Sequence, residues 1–230
     1  MGLYPKFYFI GASLIQYGGD VTNKGWIAQL REKYSINAEL VIRGFAGYNT
    51  EWIKPLFDKI VSGELSCGDA IPVITILLGS NDSSFPDKQQ HVPLEKYKEN
   101  LRNMIAAIKK VLPDVCIFLV TPPPLNEPMW EVTEIKDGLT EPGKCNARLR
   151  QYADAVISLC EEKQAHVINL WEVISSSKPE LFFDGLHFSE EGNALFAQKW
   201  LEGVRNHCPT LLPENIPAIT PHWSQMKKAE

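Results

Sequence analysis

The chain has 230 residues, 44% of them apolar, 10% aromatic and 22% charged, with 23 basic and 28 acidic residues and a net charge of −5. That length can bury a sizeable core in one large domain or two small ones, and the composition excludes a disordered chain. No stretch gathers enough Lys and Arg to track phosphates, and the longest apolar run, Ile71 to Leu78, is far too short to cross a bilayer, so neither nucleic acid nor a membrane span is expected.

Phe7 to Ile10 is a short apolar run stopped by Gly11, the pattern of a strand buried on both faces. Trp26, Ile27, Leu30 and Tyr34 then recur at helical spacing. Leu40 to Ile42 predicts a second strand, ended by Gly44 and Gly47. Thr50 is placed to cap a helix carrying Trp52, Ile53, Leu56 and Ile60. Val73 to Leu78 is the clearest strand, rich in β-branched residues. Pro93 suits the first turn of a helix, and Leu94, Tyr97, Leu101, Met104, Ile105, Ile108 and Leu112 continue it to Pro113. Val115 to Val120 predicts a fourth strand, which runs into Thr121 and three prolines. A loop with Trp130 leads to a helix whose apolar face includes Leu149, Tyr152, Val156 and Leu159. Val167 to Leu170 predicts the fifth strand, and Ser189 caps a last helix through Trp200 and Val204.

Strands thus alternate with helices five times, which predicts a parallel sheet covered on both faces, a three-layer α/β/α sandwich. One domain is expected over 1–206. The tail, 207–230, is spaced by Pro209, Pro213, Pro217 and Pro221, which keep it irregular. It is expected to lie on the domain or against a partner chain, where a homo-oligomer would find a contact. Trp26, Trp52, Trp171 and Trp200 are read as core, and Glu131, Glu134 and Asp137 as a solvated acidic face.

The five cysteines, Cys67, Cys116, Cys145, Cys160 and Cys208, form no C-x-x-C pair and read as reduced, mostly packed thiols. Met1 to Ile10 lacks the basic and apolar regions of a signal peptide, so a cytoplasmic protein is expected. The other histidines show no H-x-H or H-x-x-x-H spacing, so no metal is expected.

In open α/β sheets, ligands sit beyond the carboxyl ends of the strands. The segments there are Gly11 to Leu14, Arg43 to Thr50, Gly79 to Asp82 and, later, Asp184 to His187. Together they hold a hydroxyl, backbone N–H groups, an amide and a carboxylate–imidazole pair, the parts needed for acyl transfer. Ser13 is the candidate nucleophile, inactive until a base takes its proton. His187 is the candidate base, a role worth ~10²–10⁴-fold in rate. Asp184 can orient the imidazole from three residues earlier. The N–H groups of Ser13 and Gly47 and the amide of Asn81 are the candidate oxyanion donors, each worth roughly 2.7–4 kcal/mol in a dry site. Trp130 and Pro122 are candidate pocket walls, and Asp82 and Arg43 are placed to steady the loops.

The segments FIGASLIQ (Phe9 to Gln16), RGFAGYNT (Arg43 to Thr50), LLGSND (Leu77 to Asp82) and DGLHFS (Asp184 to Ser189) resemble those of the SGNH, or GDSL-type, hydrolases. Within them the chain is similar to the isoamyl acetate-hydrolysing esterase group, over nearly its whole length. The resemblance implies a flavodoxin-like sheet of order 2-1-3-4-5. It implies Ser13, Gly47, Asn81 and His187 as the name-giving residues, with Asp184 completing a triad. It implies no cofactor and a small ester as substrate. One position departs: Ala12 stands where the family has the Asp of G-D-S, so a looser serine turn and a slower enzyme are expected. A deacetylase, thioesterase or lysophospholipase shares the same constellation, and a non-catalytic binding protein that keeps the fold is the alternative from another class. A flavin or nucleotide binder is disfavoured, since no G-x-G-x-x-G occurs.

Overall fold

The computed structural model describes residues 2–136, 143–162, 164–217 and 224. Five strands, β1 (Lys6–Gly11), β2 (Glu39–Gly44), β3 (Val73–Leu77), β4 (Cys116–Val120) and β5 (His166–Ile168), form one sheet. Their order is β2-β1-β3-β4-β5, and every pairing is parallel. This is the doubly wound arrangement expected, in which the carboxyl ends of β1, β2 and β3 lie side by side. Seven α-helices are described: α1 (Ser13–Gln16), α2 (Trp26–Lys33), α3 (Lys54–Lys59), α4 (Leu94–Val111), α5 (Glu127–Lys136), α6 (Asn146–Glu161) and α7 (Glu190–His207).

Successive strand residues point to opposite faces, and both faces are apolar. Tyr8, Ile10, Ile74, Ile76, Ile117 and Leu119 pack on one face with α3, α4 and α6. Phe7, Phe9, Val73, Phe118 and Val120 pack on the other with α1, α2 and α7. There Trp200 and Trp26 are fully buried, and Trp26 stacks on Phe196 with ring centres 3.9 Å apart. Thr75 is a hydroxyl inside this core, and it accepts a hydrogen bond from Trp200 Nε1 at 2.9 Å. A buried hydroxyl needs such a partner to be tolerated. No helix among the described residues is long and apolar enough to cross a membrane.

Several expectations need correction. Thr50 does not cap α3: its N–H and hydroxyl both donate to Asp82 Oδ1, and Asn49 Oδ1 accepts the free N–H groups of Glu51 and Trp52 instead. Trp52 is half-exposed rather than core, at the rim of a cavity. Trp130 lies on α5, not in a loop, with Pro128 near that helix's start, where its missing N–H does no harm. Glu134 is buried, because its Oε2 accepts the backbone N–H of Gly143 at 2.6 Å. Asp137 lies outside the described residues. The start of the tail is not irregular: Pro209–Leu211 forms a 3-10 turn. Tyr34 on the α2 side donates to Leu211 O at 2.8 Å, and Asn37 Nδ2 donates to Pro213 O at 2.5 Å.

Candidate active site

Ser13 is the first residue of α1, two residues beyond the end of β1. His187 arrives from the loop before α7, whose first turn is capped by Ser189 accepting from Gly192 N–H at 3.3 Å. The two meet: His187 Nε2 lies 2.8 Å from Ser13 Oγ. On the other side of the ring, His187 Nδ1 lies 2.5 Å from Asp184 Oδ2. With Nδ1 protonated toward the carboxylate, Nε2 is left as the acceptor for the serine proton.

Asp184 is itself pinned. Its Oδ1 accepts the N–H groups of Leu186 at 2.9 Å and His187 at 2.7 Å. The turn that makes this possible runs through Gly185, whose φ is +98°, and a Cβ there would stand 2.4 Å from the backbone nitrogen of Trp130. Burial pushes the Asp184 carboxyl up, but the His187 ring and the two backbone N–H groups together hold it below its ordinary value. It therefore stays ionised at neutral pH, the form that can stabilise an imidazolium. The His187 ring is also enclosed by aromatic faces. Phe183 stacks on it at 5.5 Å between centres, and Tyr17 meets it edge-on at 4.9 Å.

Oxyanion donors need to be preorganised and unoccupied. Neither the Ser13 nor the Gly47 backbone N–H has an acceptor among the described residues. Gly47 sits at φ +81°, a conformation that turns the loop after β2 toward Ser13 and that a side chain would strain. The loop is held from both sides, by Gln16 Oε1 accepting Ala46 N–H at 2.9 Å and by Gln90 Nε2 donating to Gly47 O at 2.9 Å. Asn81 Nδ2 donates to Tyr48 O at 2.8 Å, which fixes the amide and leaves its second proton available.

Ser13, Gly47, Asn81, His187 and Trp130 line one cavity of about 230 Å³. Tyr17, Gln90, Glu134 and Lys144 also line it, and the sequence had not singled them out for the site. It shares Gly47, Gln90, Glu134 and Lys144 with an adjoining cavity of about 410 Å³. Pro122 is not among the lining residues; its carbonyl accepts Trp171 Nε1 at 2.8 Å, behind the site. Arg43 is also elsewhere, paired with Glu64 at 2.6 Å and with the Ile42 carbonyl. Asp82 does steady the loops, through Thr50. Among the described residues no group of three His, Cys, Asp or Glu side chains is gathered as a metal site.

The arrangement is that of a hydroxyl with a base, an orienting carboxylate, and donors facing where an oxyanion would form. Comparison with known proteins bears on the family of the chain as a whole. Residues 9–195 match the family model described as GDSL-like lipase/acylhydrolase. The isoamyl acetate-hydrolyzing esterase 1 homolog of Homo sapiens is 31% identical over 99% of this chain and 90% of its own length. The GDSL esterase/lipase WDL1 of Oryza sativa subsp. japonica is 30% identical over 96% of this chain and 83% of its own. Among solved structures, the lipase/acylhydrolase from Enterococcus faecalis shares the fold with a TM-score of 0.67, at 18% identity over 88% of this chain and 96% of that one. The chain is an ester hydrolase that belongs to the GDSL-like lipase/acylhydrolase family.

Proposed function

We propose that the protein is a serine esterase acting on small carboxylic esters of the acetate type. The observation that carries this is the unbroken relay from Asp184 through His187 to Ser13, with contacts of 2.5 and 2.8 Å. In the forward step Ser13 Oγ attacks the ester carbonyl while His187 Nε2 takes its proton. The negative charge on the carbonyl oxygen is met by the N–H groups of Ser13 and Gly47 and the Asn81 amide. Collapse expels the alcohol, which leaves with the proton from His187. Water then repeats the sequence on the acyl-enzyme, with His187 again as base and then acid.

Size supports a small substrate. The Ser13 cavity of about 230 Å³ adjoins one of about 410 Å³, and together they fall within the ~300–1,000 Å³ typical of small-molecule sites. The name of the human relative points the same way, toward acetate esters. Five free thiols are consistent with action in a reducing, cytoplasmic compartment.

The test is hydrolysis of p-nitrophenyl acetate, butyrate and octanoate by the wild type and by Ser13→Ala. The wild type should be active with falling rates along the series, and the variant should fall toward background, a loss on the order of 10⁶-fold where the relay acts as one unit. A folded variant that retains the rate would remove Ser13 as nucleophile.

A further inference from the structure

The wall of the Ser13 cavity carries a charged group that the relay does not use. Lys144 lies just before α6 and is only 6% exposed. Its Nζ donates to Gln90 Oε1 at 3.1 Å and stands 5.5 Å from the centre of the Trp130 ring. That accounts for one of the three donors of an ammonium. It forms no ion pair among the described residues. Glu134 lines the same cavity, but its Oε2 is taken by the Gly143 N–H, and it acts on Lys144 only from a distance, as does Asp82. Lys88, at the adjoining cavity, is tied to the exposed Asp87 at 3.2 Å.

A lysine without a partner ordinarily extends its stem until the ammonium reaches water. Lys144 is held back from bulk water, 6% exposed, and no carboxylate among the described residues pairs with it. A buried charge is tolerated when paired. The cavity its side chain lines is the one that also holds Ser13 and His187.

We propose that Lys144 recognises a carboxylate on the substrate, so that the preferred substrates of the Ser13 site are small esters carrying that anion. This rests on the serine-esterase reading. The cavity is small, so the carboxylate sits within a few bonds of the scissile carbonyl. It is carried either by the acyl part, as in a half-ester of a dicarboxylic acid, or by the leaving alcohol, as in an O-acyl hydroxy acid. A monovalent carboxylate suits one ammonium with Glu134 nearby; a phosphate dianion would face that glutamate with charge to spare. An apolar alcohol would leave Lys144 unpaired. Burial pulls the ammonium down to about 8, against the raising influence of Glu134 and Asp82, so a substrate anion would be lost as Lys144 deprotonates above that pH.

The experiment follows acid release in a pH-stat for two matched pairs: monomethyl succinate against methyl pentanoate, and O-acetyl-lactate against sec-butyl acetate. The wild type should favour the carboxylate member of one pair by roughly 10- to 100-fold in kcat/KM, the value of one hydrogen bond to a charged group. The pair that shows it identifies which side of the ester carries the anion. Lys144→Met should collapse that ratio, and Lys144→Arg should restore part of it. The KM for the preferred ester should rise as pH passes about 8 in the wild type and stay level in the Met variant. Ser13-dependent hydrolysis without a carboxylate preference, or an equal loss on both members of a pair in Lys144→Met, overturns the proposal and leaves the esterase reading standing. No hydrolysis of any of the four esters by an enzyme that still cleaves p-nitrophenyl acetate overturns the proposal alone, and no hydrolysis of p-nitrophenyl acetate either overturns both.

Discussion

Asn81 and Asp82 are neighbours in sequence with separate tasks. Asn81 turns its amide to the cavity, while Asp82 is fully buried and binds Thr50 through both its N–H and its hydroxyl. This joins the loop after β3 to the loop that carries Gly47. The other carboxylate oxygen, Oδ2, is buried without a partner among the described residues. Burial therefore outweighs the Thr50 hydrogen bonds and pushes the Asp82 carboxyl up to about 6. Between an ordinary carboxyl value near ~4 and about 6, the folded protein holds a proton that the unfolded chain has released. This group's contribution to stability is thus greatest below pH ~4 and falls as pH rises to about 6. Asp184 has the opposite slope, since its lowered value favours the folded state until acid protonates it. The two are separated by substitution. In Asp82→Asn the urea midpoint, relative to wild type, should improve steadily from pH 4 to pH 6. A difference that is constant over that range would exclude Asp82 as the source.

At the scale of elements, the first turn of α1 sets where Ser13 points, and it begins without a side-chain cap. The helix has only four residues, and Ala12 at its N-cap offers no side-chain acceptor. Ile15 N–H and Gln16 N–H donate to Ala12 O at 3.2 and 3.0 Å, and Trp26 Nε1 donates to Leu14 O at 3.0 Å, so the helix is tied down beyond its first residues but its N-terminus has no side-chain cap. An Asp in this place would accept an N–H of the first turn, a cap typically worth ~0.5–2 kcal/mol. Ala12→Asp should therefore raise Tm, by roughly 2–4 °C for each kcal/mol in a chain of this size, and raise kcat on p-nitrophenyl acetate. Higher stability with unchanged or lower kcat would show that the serine turn is already in its working shape. The strand ends, by contrast, were legible because Gly, Ser and Asn punctuate apolar runs, and Asp184 and His187 because their contact closes within three residues. Helix α5 was not legible. Its apolar Val132 and Ile135 remain 51% and 58% exposed, so no single apolar face marks it. Nor could Glu134 and Lys144 be placed, because their burial depends on Gly143, Gln90 and Trp130, which come from separate segments of the fold.

Across the whole molecule, the chemistry and the closure of the core lie at opposite edges of the sheet. Parallel strands deliver Ser13, Gly47 and Asn81 at their carboxyl ends. Helix α7 begins there, beside His187, and runs back toward the amino ends. Cys208 just past its end lies 3.2 Å, sulfur to sulfur, from Cys116 at the start of β4. The following turn then covers the core against α2: Leu212 is 5% exposed, and Leu211 and Pro213 offer carbonyls to Tyr34 and Asn37. The segment after α7 is thus a seal on the apolar face that holds Phe7, Trp26 and Trp200. Removing the Leu212 side chain leaves a void in that cluster, and a buried leucine cut to alanine typically loses ~2–5 kcal/mol. Leu212→Ala should lower Tm by roughly 2–4 °C for each kcal/mol lost. Its kcat at a temperature where both proteins are folded should match the wild type, since the relay is positioned from the other edge. A fall in kcat without a fall in Tm would mean that the two edges are coupled through α7, and that the seal helps to place His187.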